Sequence, residues 1–108
     1  MRILFVISQI FLTATTLYAV DFSGRYETNW GVVELRQNGQ KVVGSYAQPV
    51  QGDIEGVIED RVLVYRWMQS DGIWGMGRFK LIENGKMIRG SWGYGKSYDN
   101  GGVWEGVR

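Results

Sequence analysis

The sequence contains no cysteine and no histidine. Those absences remove disulfides, the Ser-His-Asp and Cys-His nucleophilic systems, and nearly every zinc, copper or haem site. There is one proline, Pro49, and no surplus of either charge, since 12 basic residues stand against 11 acidic ones for a net +1. Balanced, interspersed charge gives no electrostatic footprint for nucleic acid or for an anionic membrane. Long apolar runs are also missing, except at the N-terminus. There Arg2 precedes the apolar stretches Ile3 to Ile7 and Ile10 to Leu12, and Leu17-Tyr18-Ala19 ends on a small residue. This is the layout of a secretory signal, and it is too short to span a bilayer.

Residues 1–19 are therefore expected to be a cleaved signal peptide and residues 20–108 a single domain. Losing Arg2 leaves 11 basic residues against 11 acidic ones, a neutral product with no reason to stay on a membrane. A periplasmic or secreted location follows. Small secreted domains usually depend on disulfides, and this one has none, so its core must supply the stability. The material for such a core is abundant: five Trp, six Tyr, four Phe and 16 Gly in 108 residues.

The aromatics and glycines are arranged in a repeat, large-x-Gly-x-large. It occurs as Phe22-Ser-Gly24-Arg-Tyr26, Val42-Val-Gly44-Ser-Tyr46, Ile54-Glu-Gly56-Val-Ile58 and Ile88-Arg-Gly90-Ser-Trp92, with a partial copy at Trp104-Glu-Gly106. In a strand, residues i, i+2 and i+4 share a face. Each copy thus sets a glycine between two bulky groups on one side, which suits a small, strongly curved antiparallel sheet. The spacing predicts eight strands, at about 22–28, 32–37, 40–47, 53–59, 61–68, 73–83, 86–93 and 102–107. Asn38-Gly39 and Asn84-Gly85 are expected two-residue turns, with Glu59-Asp60 as a third. The fold class is all-β, a small eight-stranded up-and-down barrel.

In such a meander these tight turns fall at one end. The other end carries Asn29-Trp30-Gly31, Gln48 to Gly52, Gln69 to Gly72 and Tyr94 to Gly101. Loops on a rigid scaffold are where binding residues concentrate. The expected interior is Phe22, Tyr26, Val33, Leu35, Val42, Tyr46, Ile54, Ile58, Leu63, Tyr65, Trp67, Ile73, Phe79, Leu81, Ile88, Trp92 and Trp104, a filled core with a shallow mouth. The opposite face is charged, apart from Val57, Val62, Val64, Met68, Trp74 and Met76 on strands four to six. Of these, Val57, Val62, Val64 and Met76 are candidates for a homo-oligomer contact.

Catalytic chemistry has little to work with. The acidic residues lie at turns (Asp60, Asp71, Glu83, Asp99) or on the outer face (Glu55, Glu59), where turn geometry and solubility explain them. Asp53, Glu55, Asp99 and Asn100 lack the regular spacing of a calcium loop. Gly93-Tyr-Gly95 and Gly75-Met-Gly77 open no helix and so make no phosphate cradle. No enzyme activity, metal or cofactor is expected. The stretch from Gly93 to Gly102, with two tyrosines, a lysine, serine and asparagine, has the composition of an adaptable recognition loop or of a plain flexible one.

Two resemblances follow from these motifs. Phe22-Ser-Gly-Arg-Tyr26, Gly44-Ser-Tyr46 and Trp104-Glu-Gly106 resemble the calycin style of barrel, avidins and lipocalins included. Tyr26 stands where those families begin with a Gly-x-Trp strand. That resemblance implies a barrel and names no ligand. Gly95-Lys-Ser97-Tyr98-Asp-Asn-Gly101, followed by Trp104-Glu-Gly106, is similar to the inhibitory loop of small periplasmic lysozyme inhibitors. It implies that Ser97, Tyr98 and Asp99 form a loop directed at a protein partner.

The reading from the residues is an exported, non-enzymatic barrel that binds a small apolar or glycan-like ligand at its long-loop end. The expected ligand-binding residues are Trp30, Gln48, Gln69, Trp74, Tyr94, Lys96 and Tyr98. The alternative is an inhibitor or assembly partner acting through residues 94–101 or the outer apolar patch.

Overall fold

A computed structural model describes residues 20–108. The expected signal peptide, residues 1–19, lies outside the described residues. Eight antiparallel strands follow one another around a closed barrel: β1 (Gly24–Thr28), β2 (Gly31–Asn38), β3 (Lys41–Tyr46), β4 (Gly52–Glu59), β5 (Val62–Gln69), β6 (Trp74–Ile82), β7 (Met87–Tyr94) and β8 (Gly102–Val107). Each strand pairs with its sequence neighbours, so the barrel is an up-and-down meander. No helix occurs among the described residues.

The repeat acquires its meaning from the register. Tyr65 lies opposite Gly56 on one side and Gly77 on the other. Trp67 faces Gly75, while Phe79 and Trp104 both face Gly90. Large rings and bare backbone therefore alternate around the interior, and each ring occupies the space its neighbour's missing side chain leaves. A Cβ added at Gly75 would come within 2.7 Å of the Trp67 ring. This interdigitation lets eight strands close over a core dense in aromatics without overpacking.

Among the described residues thirteen apolar side chains are buried, and no polar or charged residue joins them. The interior is filled by Leu35, Val42, Leu63 and Ile88 together with Phe22, Tyr65, Phe79 and Trp104. Ile58, Leu81 and Trp92 pack against this cluster while half-buried. Ile73, expected inside strand six, precedes it and is 47% exposed. The cause is local: Asp71 Oδ1 accepts the Ile73 N–H at 3.1 Å, and the Ile73 carbonyl accepts the Gln69 N–H, closing a hairpin loop before β6 starts.

The turns are shifted from their expected positions. Asn38 pairs with Lys41, so the central residues are Gly39 and Gln40, with positive φ at Gly39 and not at Asn38. That is the pattern of a II′ turn in place of the expected I′. Glu59 pairs with Val62, which makes Asp60 and Arg61 the central pair, both left-handed at φ 52° and 69°. The third connection spans residues 83–86, because Ile82 pairs with Met87 and positive φ runs through Glu83, Asn84 and Gly85. At the other end, Asn29-Trp30 is itself a tight turn, since Thr28 pairs with Gly31.

Closure is the least regular part of the barrel. Strands β1 and β8 share only the pairs Glu27–Val107 and Thr28–Gly106. Asn29 extends the seam: its backbone N–H donates to the Glu105 carbonyl, its Oδ1 accepts the Glu105 N–H, and its Nδ2 donates to the Val103 carbonyl. At the tight-turn end the Arg108 guanidinium donates to the carbonyls of Asp21, Ser23 and Gly85 and lies 5.4 Å from the Tyr26 ring. Side chains thus complete a seam that main-chain pairing leaves short.

Candidate functional site

Strand directions place four connections at one rim: Asn29-Trp30 and the segments 47–51, 70–73 and 95–101. Between them opens a cavity of about 190 Å³, lined by Trp30, Tyr46, Gln48, Pro49, Trp67, Gln69, Ile73, Trp92, Tyr94 and Trp104. Six of those ten residues are aromatic. The alternation that fills the core also builds the cavity. Inward positions at the upper ends of β3, β5, β7 and β8 supply Tyr46, Trp67, Trp92 and Tyr94, and Trp104; the turns add Trp30, Pro49 and Ile73.

The rings support one another edge to face. Trp92 is the hub, with Trp67 at 5.7 Å, Tyr94 at 5.0 Å and Trp30 at 5.9 Å between centroids. Interplanar angles of 71–90° among these four rings make perpendicular walls. Below them Trp104 packs edge-on to Tyr46 at 5.4 Å and Phe79 at 5.4 Å, forming the floor. Such contacts add roughly 0.5–1.5 kcal/mol per pair beyond burial and hold the rings in place without a ligand.

Hydrogen bonds anchor the rings from behind. Trp67 Nε1 donates to the Gly93 carbonyl at 3.1 Å, and Trp104 Nε1 donates to Thr28 Oγ1 at 3.0 Å. The same Thr28 hydroxyl accepts the Trp30 N–H and donates to the Gly31 carbonyl, tying the first rim turn to the floor. Tyr46 donates to Gln69 Oε1 at 3.1 Å, and Gln69 Nε2 donates to the Asp71 carboxylate at 3.3 Å. Trp92 Nε1 is the one buried side-chain polar atom without a partner among the described residues. It is sealed from solvent and so is not presented to the cavity mouth.

Burial, then the Asp71 and Asp53 carboxylates, pushes the Tyr46 hydroxyl up to about 12. Burial also raises Tyr65, with a smaller contribution from Tyr46. It raises Tyr26 as well, against the Arg108 guanidinium and with a further push from Asp21. The folded state therefore favours the neutral phenols, whereas an unfolded chain ionises them near pH 10. Their contribution to stability is complete below about pH 10 and is lost as pH rises through 10 towards 12. Unfolding free energy should be flat across neutral pH and fall above about pH 10. Tyrosinate absorbance should show Tyr46 ionising late or together with unfolding. Ionisation of all the tyrosines at the ordinary value in a folded barrel would contradict this.

Among the expected binding residues, Trp30, Gln48, Gln69 and Tyr94 line the cavity. Trp74, Lys96 and Tyr98 do not. Trp74 lies opposite Met68 on the outer wall, 41% exposed, because Gly75 and Gly77 take the inward positions of β6. The segment 95–101 folds down over the outside of β7. Ser91 Oγ donates to the Tyr98 carbonyl, Asn100 Oδ1 accepts the Tyr94 N–H, and the Tyr98 ring carries the Arg78 guanidinium at 4.0 Å. Gly93 permits this, since a Cβ there would meet Asn100 Oδ1 at 2.8 Å. Ser97 Oγ accepts the N–H groups of Asp99 and Asn100, so the segment holds its own shape.

Tyr46, Trp67, Trp92 and Trp104, assigned in the sequence to the core alone, also form the cavity wall, with Pro49 and Ile73 at its rim. On the outer wall, Val57 is 41% exposed while Val62, Val64 and Met76 are half-buried. The Glu55–Arg66 ion pair at 3.9 Å lies between the Val57–Val64 row and the Met68–Trp74 row, and Met76 pairs directly with Arg66. No three acidic side chains gather in a metal-holding group among the described residues. In comparisons with family models, curated proteins and solved structures, nothing matches the chain.

Proposed function

We propose that this protein is an exported, non-enzymatic binding protein, acting in the periplasm or outside the cell, whose long-loop end takes a small apolar or ring-shaped, glycan-like ligand. The observation that carries this reading is the pre-formed aromatic cavity of about 190 Å³ at that end. It is smaller than the roughly 300–1,000 Å³ of a drug-sized site. It exceeds the ~150 Å³ that suffices for one benzene ring, so the natural fit is a single ring or a compact branched group. Exposed Trp30, Ile73 and Tyr94 at the rim provide apolar surface for the rest of the ligand. The amides of Gln48 and Gln69 supply the few polar contacts that fix orientation. The closed eight-stranded barrel is compatible with the calycin style, in which the barrel mouth is a natural ligand site.

Tryptophan fluorescence tests this reading, because four of the five tryptophans line the cavity. Titration of residues 20–108 with cell-wall fragments, glycans and small apolar compounds should give a saturable change for at least one of them. Trp30→Ala should weaken that binding about tenfold, the loss of roughly 1.4 kcal/mol of contact with one wall. Its effect on folding should be small, since Trp30 is 42% exposed. Trp74→Ala, on the outer wall, should leave the affinity unchanged. Equal losses in the two variants would remove the cavity from the account.

A further inference from the structure

We infer that the cavity is selective for a compact organic cation, a quaternary or multiply methylated ammonium group, over a neutral group of the same shape. The inference rests on the reading of the long-loop end as a ligand site and narrows the chemistry of what enters it.

Three observations converge. The first is the wall itself: six aromatic residues, no lysine and no arginine. Ring faces carry negative quadrupole density and attract a cation within about 6 Å, most strongly when the cation sheds water cheaply, as a methylated ammonium does. Elsewhere in the molecule two tyrosine rings already hold a cation, Tyr98 under Arg78 and Tyr26 under Arg108. Among the described residues no protein cation lies over the rings of the cavity.

The second observation is the direction of the hydrogen bonds. Trp67 Nε1 and Trp104 Nε1 both donate away to protein acceptors. Tyr46 donates to Gln69, which in turn donates to Asp71. The donors along this chain all point out towards the carboxylate. The other polar groups of the lining are the Gln48 amide, the Trp30 indole N–H and the Tyr94 hydroxyl near the rim, and Trp92 Nε1, which is sealed from solvent. A neutral sugar demands several donors and acceptors from its site, and a buried hydroxyl without a partner is costly. A methylated ammonium needs neither.

The third is charge at the rim. Asp71 lies in the 70–73 connection and Asp53 near the start of β4, while Lys96 lies with Asp99 on the segment folded over the outside of β7. Asp71 and Asp53 are near enough to raise the Tyr46 hydroxyl, so their field reaches the wall. That negative field favours a cation over its neutral isostere.

The experiment titrates the domain of residues 20–108 with choline and with its uncharged carbon isostere, 3,3-dimethylbutan-1-ol, following tryptophan fluorescence at fixed ionic strength. Choline is expected to bind about tenfold more tightly than the isostere or better. Asp71→Asn, which retains the Oδ1 acceptor for the Ile73 N–H, should reduce that preference by about two- to fivefold. Trp30→Ala should weaken choline more than the isostere. Equal affinity for the two probes overturns the cation preference while the cavity stands as a ligand site. So does binding of the isostere alone. Absence of binding by both probes and by every glycan and apolar compound overturns the preference and the site together.

Discussion

Replacing Trp104 with alanine is expected to lower the unfolding free energy by about 3–5 kcal/mol, the range for deleting a large buried aromatic. The side chain is 4% exposed and touches the rings of Tyr46, Tyr65 and Phe79. It also donates to Thr28 Oγ1 across the β1–β8 seam, where main-chain pairing is shortest. Its removal therefore opens a void beneath the aromatic cavity and loosens closure at once. Domains of this size are stable by about 5–15 kcal/mol, so the variant should be marginal at room temperature. Urea unfolding followed by circular dichroism measures the loss. A change below about 1 kcal/mol would show that neither the floor nor the seam depends on this ring.

Gly90→Ala should be destabilising by about 3 kcal/mol, at the upper end of the usual cost of overpacking. A Cβ at Gly90 would meet the carbonyl of Arg78 and come within 3.0 Å of the Phe79 Cα, both main-chain groups of β6. A flexible side chain could swing aside, but a paired strand cannot. The two strands share eight register pairs, from Gly75–Tyr94 to Ile82–Met87, and would have to separate around the new methyl. Unfolding in urea should show a lower midpoint with little change of slope. Stability within 0.5 kcal/mol of the parent, roughly the scatter of a neutral surface change, would mean that the repeat is not needed for packing. It would undo the explanation given for large-x-Gly-x-large.

That repeat is also why so much of the fold could be read from the chain. Strand number, the all-β class and almost all the interior follow from period-two alternation, because curvature and ring packing demand glycine opposite large residues. The turns were legible only as neighbourhoods. Asn38-Gly39 and Glu59-Asp60 mark where the chain reverses, but cross-strand partners choose the central pair, and both turns lie one residue later. Arg61 adopts φ 69° because the Glu59–Val62 register requires it, and residue preference alone would not place it there.

The site was half legible for a related reason. Parity identifies which residues point inward, and it assigned Trp67, Trp92 and Trp104 correctly to the interior. It does not say how high in the barrel each one lies, since height depends on the stagger between strands. A ring near the rim has one face in the core and the other on the cavity, which alternation cannot distinguish from a buried ring. Trp74 illustrates the converse. Its place beside a rim loop suggests a binding residue, yet counting back from Phe79 through Gly77 and Gly75 puts it on the outer wall. The segment 95–101 has the composition of an adaptable loop, but Ser97, Asn100 and the bare backbone of Gly93 fold it against β7.

The five tryptophans give the most direct test of the central claim, that the aromatic mouth is the binding site. Indole N–H signals of the isotopically labelled domain, assigned by single replacements, should be followed by NMR as a ligand is added. The ligand is choline or whichever compound of the panel changes the fluorescence. Signals of Trp30, Trp67, Trp92 and Trp104 should shift together and saturate with one affinity, while the Trp74 signal stays in place. Movement of Trp74 with the other four unchanged would contradict the account and put the working surface on the outer wall of β5 and β6.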